Sequence, residues 1–346
     1  MDLPRLRLSR PDALFVKDLR LLTSKFSNSR TLMNRIVSVF IWIALSSTLS
    51  AGDLMPGSSV FGRDNYIEYI PGDLPLVIAA PHGGRLKPES IPDRTQGVTG
   101  IDANTEELAR VIASVIHAET GHHAHLVICH LHRSKLDANR DLPEAAQGND
   151  VAAHAWGEHH RFIEQACETA VEQFGVAFLI DLHGHGHPDP RVELGYLHSA
   201  LDLADCEELL NSTGSIASSS LRWIAERSEL SHVDLLRGPQ SLGALLEKEG
   251  FPAAPSPRMP IPTEPFFRGG YTIQRHCRSE KNVMGVQIEA NRPRLRDTSQ
   301  NRARFARSLL NSLNHYFRMH LQSVTSGQSS PSPLIPGLHS TPTSSQ

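Results

Sequence analysis

The chain has 346 residues, 39% hydrophobic and 21% charged, the balance of a globular protein able to bury a sizeable core. A net charge of −3 with neutral histidines argues against the basic surface of a nucleic-acid-binding protein. Cys129, Cys167, Cys206 and Cys277 form no CxxC pair, which excludes zinc-ribbon and dithiol motifs, whereas nineteen histidines are enough to build a metal site.

In chain order, the first segment with a pattern is 33–51, MNRIVSVFIWIALSSTLSA. One arginine, an apolar run from Ile36 to Leu45 and then small residues follow the order of a secretory signal peptide. The run falls well short of the roughly 20 apolar residues a membrane span needs. On this reading Met33 is the true start, residues 1–32 are an upstream extension, and cleavage falls near Ser50 or Ala51. The product is then exported, periplasmic or extracellular, with no stable membrane span; from another start the chain reads as cytoplasmic. A folded unit over 60–321 follows. In the tail, 322–346, serine, proline and threonine leave nothing to build a core and predict disorder.

Within the folded unit, Leu76 to Ala80 (LVIAA) is continuously apolar, as in a strand buried on both faces. Thr105 to His117 carries Leu108, Val111, Ile112 and Val115 at helical spacing, and Leu126 to Leu131 reads as a second strand. A long helix is predicted from Val151 to Phe174, then strands over Val176–Leu182 and Val192–Leu197. Gly285–Ala290 reads as a late strand and Gln300–Leu321 as a closing amphipathic helix. Cys129 and Cys167 fall in these apolar patterns and read as core. Strands alternating with helices predict an α/β three-layer sandwich around a mostly parallel mixed sheet. In such sheets, sites gather at the carboxyl ends of strands.

Several segments run from an apolar strand into polar residues. LVIAAPHGGR carries His82, FLIDLHGHGH carries His183, and GVQIEANR carries Glu289. The strand before HGHGH is expected to end at Leu182, its glycines then letting the backbone bend. Two imidazoles, a carboxylate and an open position form the donor set of a hydrolytic zinc site. A separate glutamate beside bound water can act as general base. LDANRDL at 136–142 supplies Arg140, which can hold a carboxylate through two parallel hydrogen bonds, with Asn139 adding another. FRGGYTIQRH at 267–276 reads as a loop approaching a ligand, with Arg268, Tyr271 and Arg275 as donors. Each residue also has a plainer reading, as a surface histidine, an ion-paired glutamate, a solvated arginine or a packed tyrosine. Their joint occurrence favours a metal site.

The ordered set PHGG at 81–84, DANR at 137–140, DLHGHGH at 181–187, RGGYTIQRH at 268–276 and VQIEANR at 286–292 resembles the N-formylglutamate amidohydrolase family. That family's fold is similar to zinc carboxypeptidases. The resemblance implies one zinc ion bound by His82 and His183. Its third ligand is acidic, with Asp102 favoured over Glu89 and Asp93 because it precedes the following helix as the family's aspartate does. The resemblance also implies Glu289 as general base and Asn139 and Arg140 as the carboxylate-binding pair. Ala103, where the family often has tryptophan, and DANR in place of DLNR depart from the pattern, as do His185 and His187, which are expected not to be ligands.

The chain therefore reads as a zinc-dependent amidohydrolase acting on an amide-type bond in a small molecule or short peptide that carries a carboxylate. Arg275 or another nearby donor is expected to stabilise the oxyanion with zinc, with Arg268 and Tyr271 lining the substrate; Asp181 reads either as orienting a ligand imidazole or as an unrelated ion pair. Alternative readings are a secreted metallocarboxypeptidase or cell-wall amidase, and a non-catalytic module on the same fold that binds metal or ligand. Oligomeric state is not legible.

Overall fold

The computed structural model describes residues 54–321. The predicted upstream extension over 1–32, the predicted export signal at 33–51 and the predicted tail at 322–346 lie outside the described residues. The strands are β1 (Val60–Phe61), β2 (Ile67–Ile70), β3 (Leu76–Ala80), β4 (His125–Cys129), β5 (Ala177–His185), β6 (Val192–Gly195), β7 (Ala253–Ala254) and β8 (Val283–Asn291). They form one sheet in the order β1-β2-β4-β3-β5-β8-β6-β7. The central strands β4, β3, β5 and β8 are parallel, while β2 and β6 flank them antiparallel. This is the mostly parallel mixed sheet that the sequence predicts.

Three long helices cover it: α1 (Thr105–Thr120), α2 (Asp150–Phe174) and α3 (Ser299–His320). Their ends follow local chemistry. The Asn149 side chain accepts from the Ala152 amide at the start of α2, and Gly175 ends that helix in the left-handed conformation, φ 77°. Thr298 caps α3 by accepting from the Asn301 amide. Leu108, Ile112 and Ile116 of α1 join Phe305, Leu309 and Leu313 of α3 over Ile78, Ile180 and Ile288 of the sheet. On the opposite face Ile163, Ala166 and Ala170 of α2 cover Val77, Ala79 and Leu179. Cys129 and Cys167 are buried in this second cluster, as expected of core residues. Among the described residues no helix is long and apolar enough to cross a membrane.

Strand periodicity positions the site. Side chains two residues apart share a face, so the apolar stripe Ala177, Leu179 on the α2 side of β5 continues into Asp181, His183 and His185. On β8 the same face runs from Val283 into Gln287, Glu289 and Asn291. The other face stays apolar through Leu182, Ile288 and Ala290. The predicted strand end at Leu182 is corrected here. β8 runs alongside to Asn291 and pairs His183 with Glu289 and His185 with Asn291, which keeps β5 extended. Gly184 matters for a different reason than bending: a Cβ there would lie 2.5 Å from the Arg296 guanidinium. β6 is shorter than predicted because the chain turns at Leu197, φ 72°.

Candidate metal centre

His82 follows β3 by two residues, and its carbonyl accepts from the Asp102 amide at 3.0 Å, so the 102 loop folds over the strand end. Asp102 is fastened again by the Thr105 hydroxyl, which donates to its carbonyl at 2.7 Å. His183 reaches the same place from β5. One donor atom from each of His82, Asp102 and His183 lies within 4.8 Å of the others, and all three residues are buried. His183 Nδ1 lies 3.1 Å from Asp102 Oδ2, and His82 Nδ1 lies 3.4 Å from the same oxygen. Buried His82 Nδ1 makes no hydrogen bond. An orphaned imidazole nitrogen, a second imidazole and a carboxylate oxygen facing one point are the donor chemistry of a zinc site.

The far side of each ring is held by a carboxylate. His82 Nε2 lies 2.6 Å from Asp137 Oδ1, and His183 Nε2 lies 3.0 Å from Asp181 Oδ2. Both carboxylates are fully buried. Such a partner fixes the tautomer with hydrogen on Nε2, turns the Nδ1 lone pair toward the shared point, and raises ligand basicity. Arg133 ties the two acids nearest His82 together, with Nε donating to Asp137 at 2.9 Å and Nη1 lying 3.4 Å from Asp102. Burial opposes the charge on Asp102, but His183 and His82 hold its carboxyl well below the ordinary range. Asp137 is likewise held low, against its burial, by His82, Arg133 and Arg140.

Glu289 stands opposite His183 in the strand pairing and is 5% exposed. Burial raises its carboxyl to about 8, helped by Asp102, Glu193 and Asp181 and opposed by His183. Gln287 Nε2 donates to Glu289 Oε1 at 2.9 Å and fixes the carboxyl's orientation. A buried carboxyl poised near neutrality beside the His183 imidazole is suited to carrying a proton in either direction.

His82, Asp102, His183 and Glu289 line one cavity of about 470 Å³, together with Arg133, Asn139, Arg140, Phe267 and Arg268. The structure thus brings Arg140 and Arg268 to the site as the sequence expects. Arg140 also pairs with Glu144 at 3.1 Å. The other acidic candidates lie elsewhere: Asp93 pairs with Lys135 at 3.0 Å, and Glu89 is exposed. Asn139 borders the cavity, but its amide is committed to the protein. Its Oδ1 accepts from the Thr272 amide at 2.7 Å and its Nδ2 donates to Gln287 Oε1 at 3.5 Å.

One expectation needs correction. Tyr271 and Arg275 do not line this cavity. They are four residues apart on the helix Tyr271–His276 and share a face, where Arg275 Nη1 donates to the Tyr271 hydroxyl at 3.2 Å and its guanidinium stacks 5.2 Å over Trp156. Arg275 instead borders a separate cavity with Glu168 and Lys281. The glycines beside the site are required by close packing. A Cβ on Gly270 would lie 2.3 Å from the Asn139 amide, on Gly83 2.4 Å from the Glu106 nitrogen, and on Gly84 2.3 Å from the His130 carbonyl. Gly83 and Gly84 thus admit neighbouring protein, while Gly270 also lines the cavity.

Asp137, Arg133 and Gln287 are residues that sequence reasoning misses. The signal for Asp137 was present, since it opens the DANR motif. Gln287 is two residues before Glu289, the strand spacing that puts it on the same face.

No protein-family model matches the chain, and no curated protein matches it. Solved structures are similar to it at low identity. The N-formylglutamate amidohydrolase of Ralstonia eutropha JMP134 is 17% identical over 76% of this chain and 99% of that one, with a TM-score of 0.45. The gene product Atu2144 of Agrobacterium tumefaciens is 12% identical over 72% and 93%, TM-score 0.40. YndL in its zinc-free form is 14% identical over 73% and 91%, TM-score 0.32. At these scores the likenesses assign no residue a role here.

Proposed function

We propose that the protein is a zinc-dependent amidohydrolase that cuts an amide-type bond in a small substrate bearing a carboxylate. His82, Asp102 and His183 would hold the ion. The observation that carries this reading is the meeting of their donor atoms within 4.8 Å, each imidazole backed by a buried carboxylate, beside buried Glu289. Bound zinc supplies a Lewis acid for the scissile carbonyl and lowers the pKa of a coordinated water toward about 7.

The chain's own residues do the rest. Glu289 takes the proton from the attacking water and returns it to the leaving nitrogen, held in place by Gln287. A cation in the site draws the Glu289 value down from about 8 toward the range where it accepts protons at neutral pH. Arg268, whose guanidinium makes no ion pair among the described residues, binds the substrate carboxylate, and Arg140 adds a second cation on the cavity wall. Asp137 and Asp181 keep the two imidazoles in the liganding tautomer.

The test is hydrolysis by zinc-loaded protein of a panel of N-formyl and N-acetyl amino acids and short peptides, read as liberated amine, with and without a chelator. Chelator-sensitive turnover is the expected result. Metal-replete protein inert toward the whole panel would overturn the proposal. Preference for peptides would move the reading to a carboxypeptidase, with the same residues in the same roles.

A further inference from the structure

His185, His187 and Glu193 also bring donor atoms within 4.8 Å of one another. This second cluster is already satisfied without an ion. His185 Nε2 lies 2.7 Å from the Arg191 carbonyl, and its Nδ1 accepts from the His187 amide at 3.1 Å. His187 Nδ1 lies 2.9 Å from Glu193 Oε1, and Arg191 Nη2 lies 3.0 Å from the same oxygen. The Arg191 guanidinium supplies the positive charge that a metal would bring.

What the cluster holds is the cavity wall. Arg191, 1% exposed, donates to the Thr263 hydroxyl at 2.7 Å, the Thr263 carbonyl at 2.6 Å and the Pro265 carbonyl at 3.0 Å. The second oxygen of Glu193, a residue with no exposure, accepts from the Phe267 amide at 2.9 Å. Burying two charged groups is costly, and these spend their hydrogen bonds on the backbone at 263–267. The ring so fixed, Phe267, stacks on His187 with centroids 4.8 Å apart and planes at 27°. It is nevertheless 45% exposed and lines the cavity that holds His82, His183 and Glu289.

We infer that Phe267, on the His187 ring, is an apolar subsite, and that the substrate carries an aromatic or large aliphatic group alongside its carboxylate. The adjacent residue, Arg268, takes the carboxylate, so one short rigid segment presents an apolar face and a cation together. The proposed hydrolase reading fixes which bond is cut, and the subsite rests on that reading only for this.

Binding of inert carboxylates tests the subsite apart from catalysis. The probes are 3-phenylpropanoate, glutarate and propanoate, titrated into the full protein by nuclear magnetic resonance. Burying an aromatic ring on Phe267 predicts that 3-phenylpropanoate binds roughly 10-fold or more tightly than either of the others. Phe267→Ala should erase the difference and Phe267→Leu should keep part of it. Tighter binding of glutarate, no binding of 3-phenylpropanoate, or an unchanged preference in Phe267→Ala would overturn the inference. Selective binding without turnover of any member of the N-formyl, N-acetyl and peptide panel keeps the subsite and rejects the hydrolase reading. Turnover that favours N-acetylglutamate does the reverse.

Discussion

His183 and Glu289 are directly opposed in the parallel pairing of β5 and β8, their side chains on the α2 face of the sheet. One strand therefore supplies a metal-ligand candidate and its neighbour the proposed base, and the ladder sets their spacing. If Glu289 only carries protons, Glu289→Gln keeps the shape and the zinc content but slows hydrolysis about 10²–10⁴-fold. Zinc analysis beside steady-state kinetics checks this. Loss of zinc in the variant would make Glu289 a ligand instead.

Asp137 and Asp181 act through the imidazoles they hold. Asp137→Asn and Asp181→Asn should each weaken zinc affinity by about 10–100-fold, measured by competition with a chromophoric chelator. Equal affinity in wild type and variants would show that the tautomer needs no buried carboxylate.

A second network gives the fold a pH dependence away from the site. His130 faces Glu106 at 3.4 Å and Glu68 at 3.1 Å, and Arg110 bridges the same two acids. Hydrogen bonds to Glu106 and Glu68 raise His130 from 6.5 to about 9, with burial opposing. Its native value exceeds its unfolded one, so its contribution is complete below about pH 6.5 and is lost as pH rises through about 9. Burial works against a charged Glu68, but His130, Arg110 and Ser59 lower it from 4.5 to about 2. That contribution is complete above about 4.5 and disappears as pH falls through about 2. In denaturant titrations His130→Ala should therefore be most destabilising near pH 6, with the gap from wild type closing above pH 9. A gap that does not change with pH would contradict this.

Export makes its own prediction. If Met33 is the start, mass spectrometry of native protein should find an N-terminus near Gly52 and no peptides from 1–32. Intact residues 1–32 in cytoplasmic protein would remove the export claim and leave the chemistry standing.

The central sheet is legible because its strands are apolar on both faces, and β3 has the predicted bounds, Leu76 to Ala80. HGHGH is harder, because glycine and histidine are turn-like in isolation and only the neighbouring β8 ladder extends β5 through His185. His82 and His183 are legible as polar residues at strand ends, whereas Asp102, on a loop far from both in sequence, is found only through the resemblance. Arg275 shows the limit of a motif. It stands in the expected string, yet the helical repeat turns it toward Trp156 and away from the cavity. Asp137 was in view within DANR, but its value lies in a contact with His82 across 55 positions, which spacing alone does not reveal.

The most direct test of the proposed metal centre is an anomalous-difference map from zinc-loaded crystals, collected on both sides of the zinc absorption edge. The account predicts one strong peak bonded to His82 Nδ1, His183 Nδ1 and an Asp102 oxygen, at about 2.0–2.2 Å. A peak at His185, His187 and Glu193, or no bound zinc among these residues at all, would contradict it.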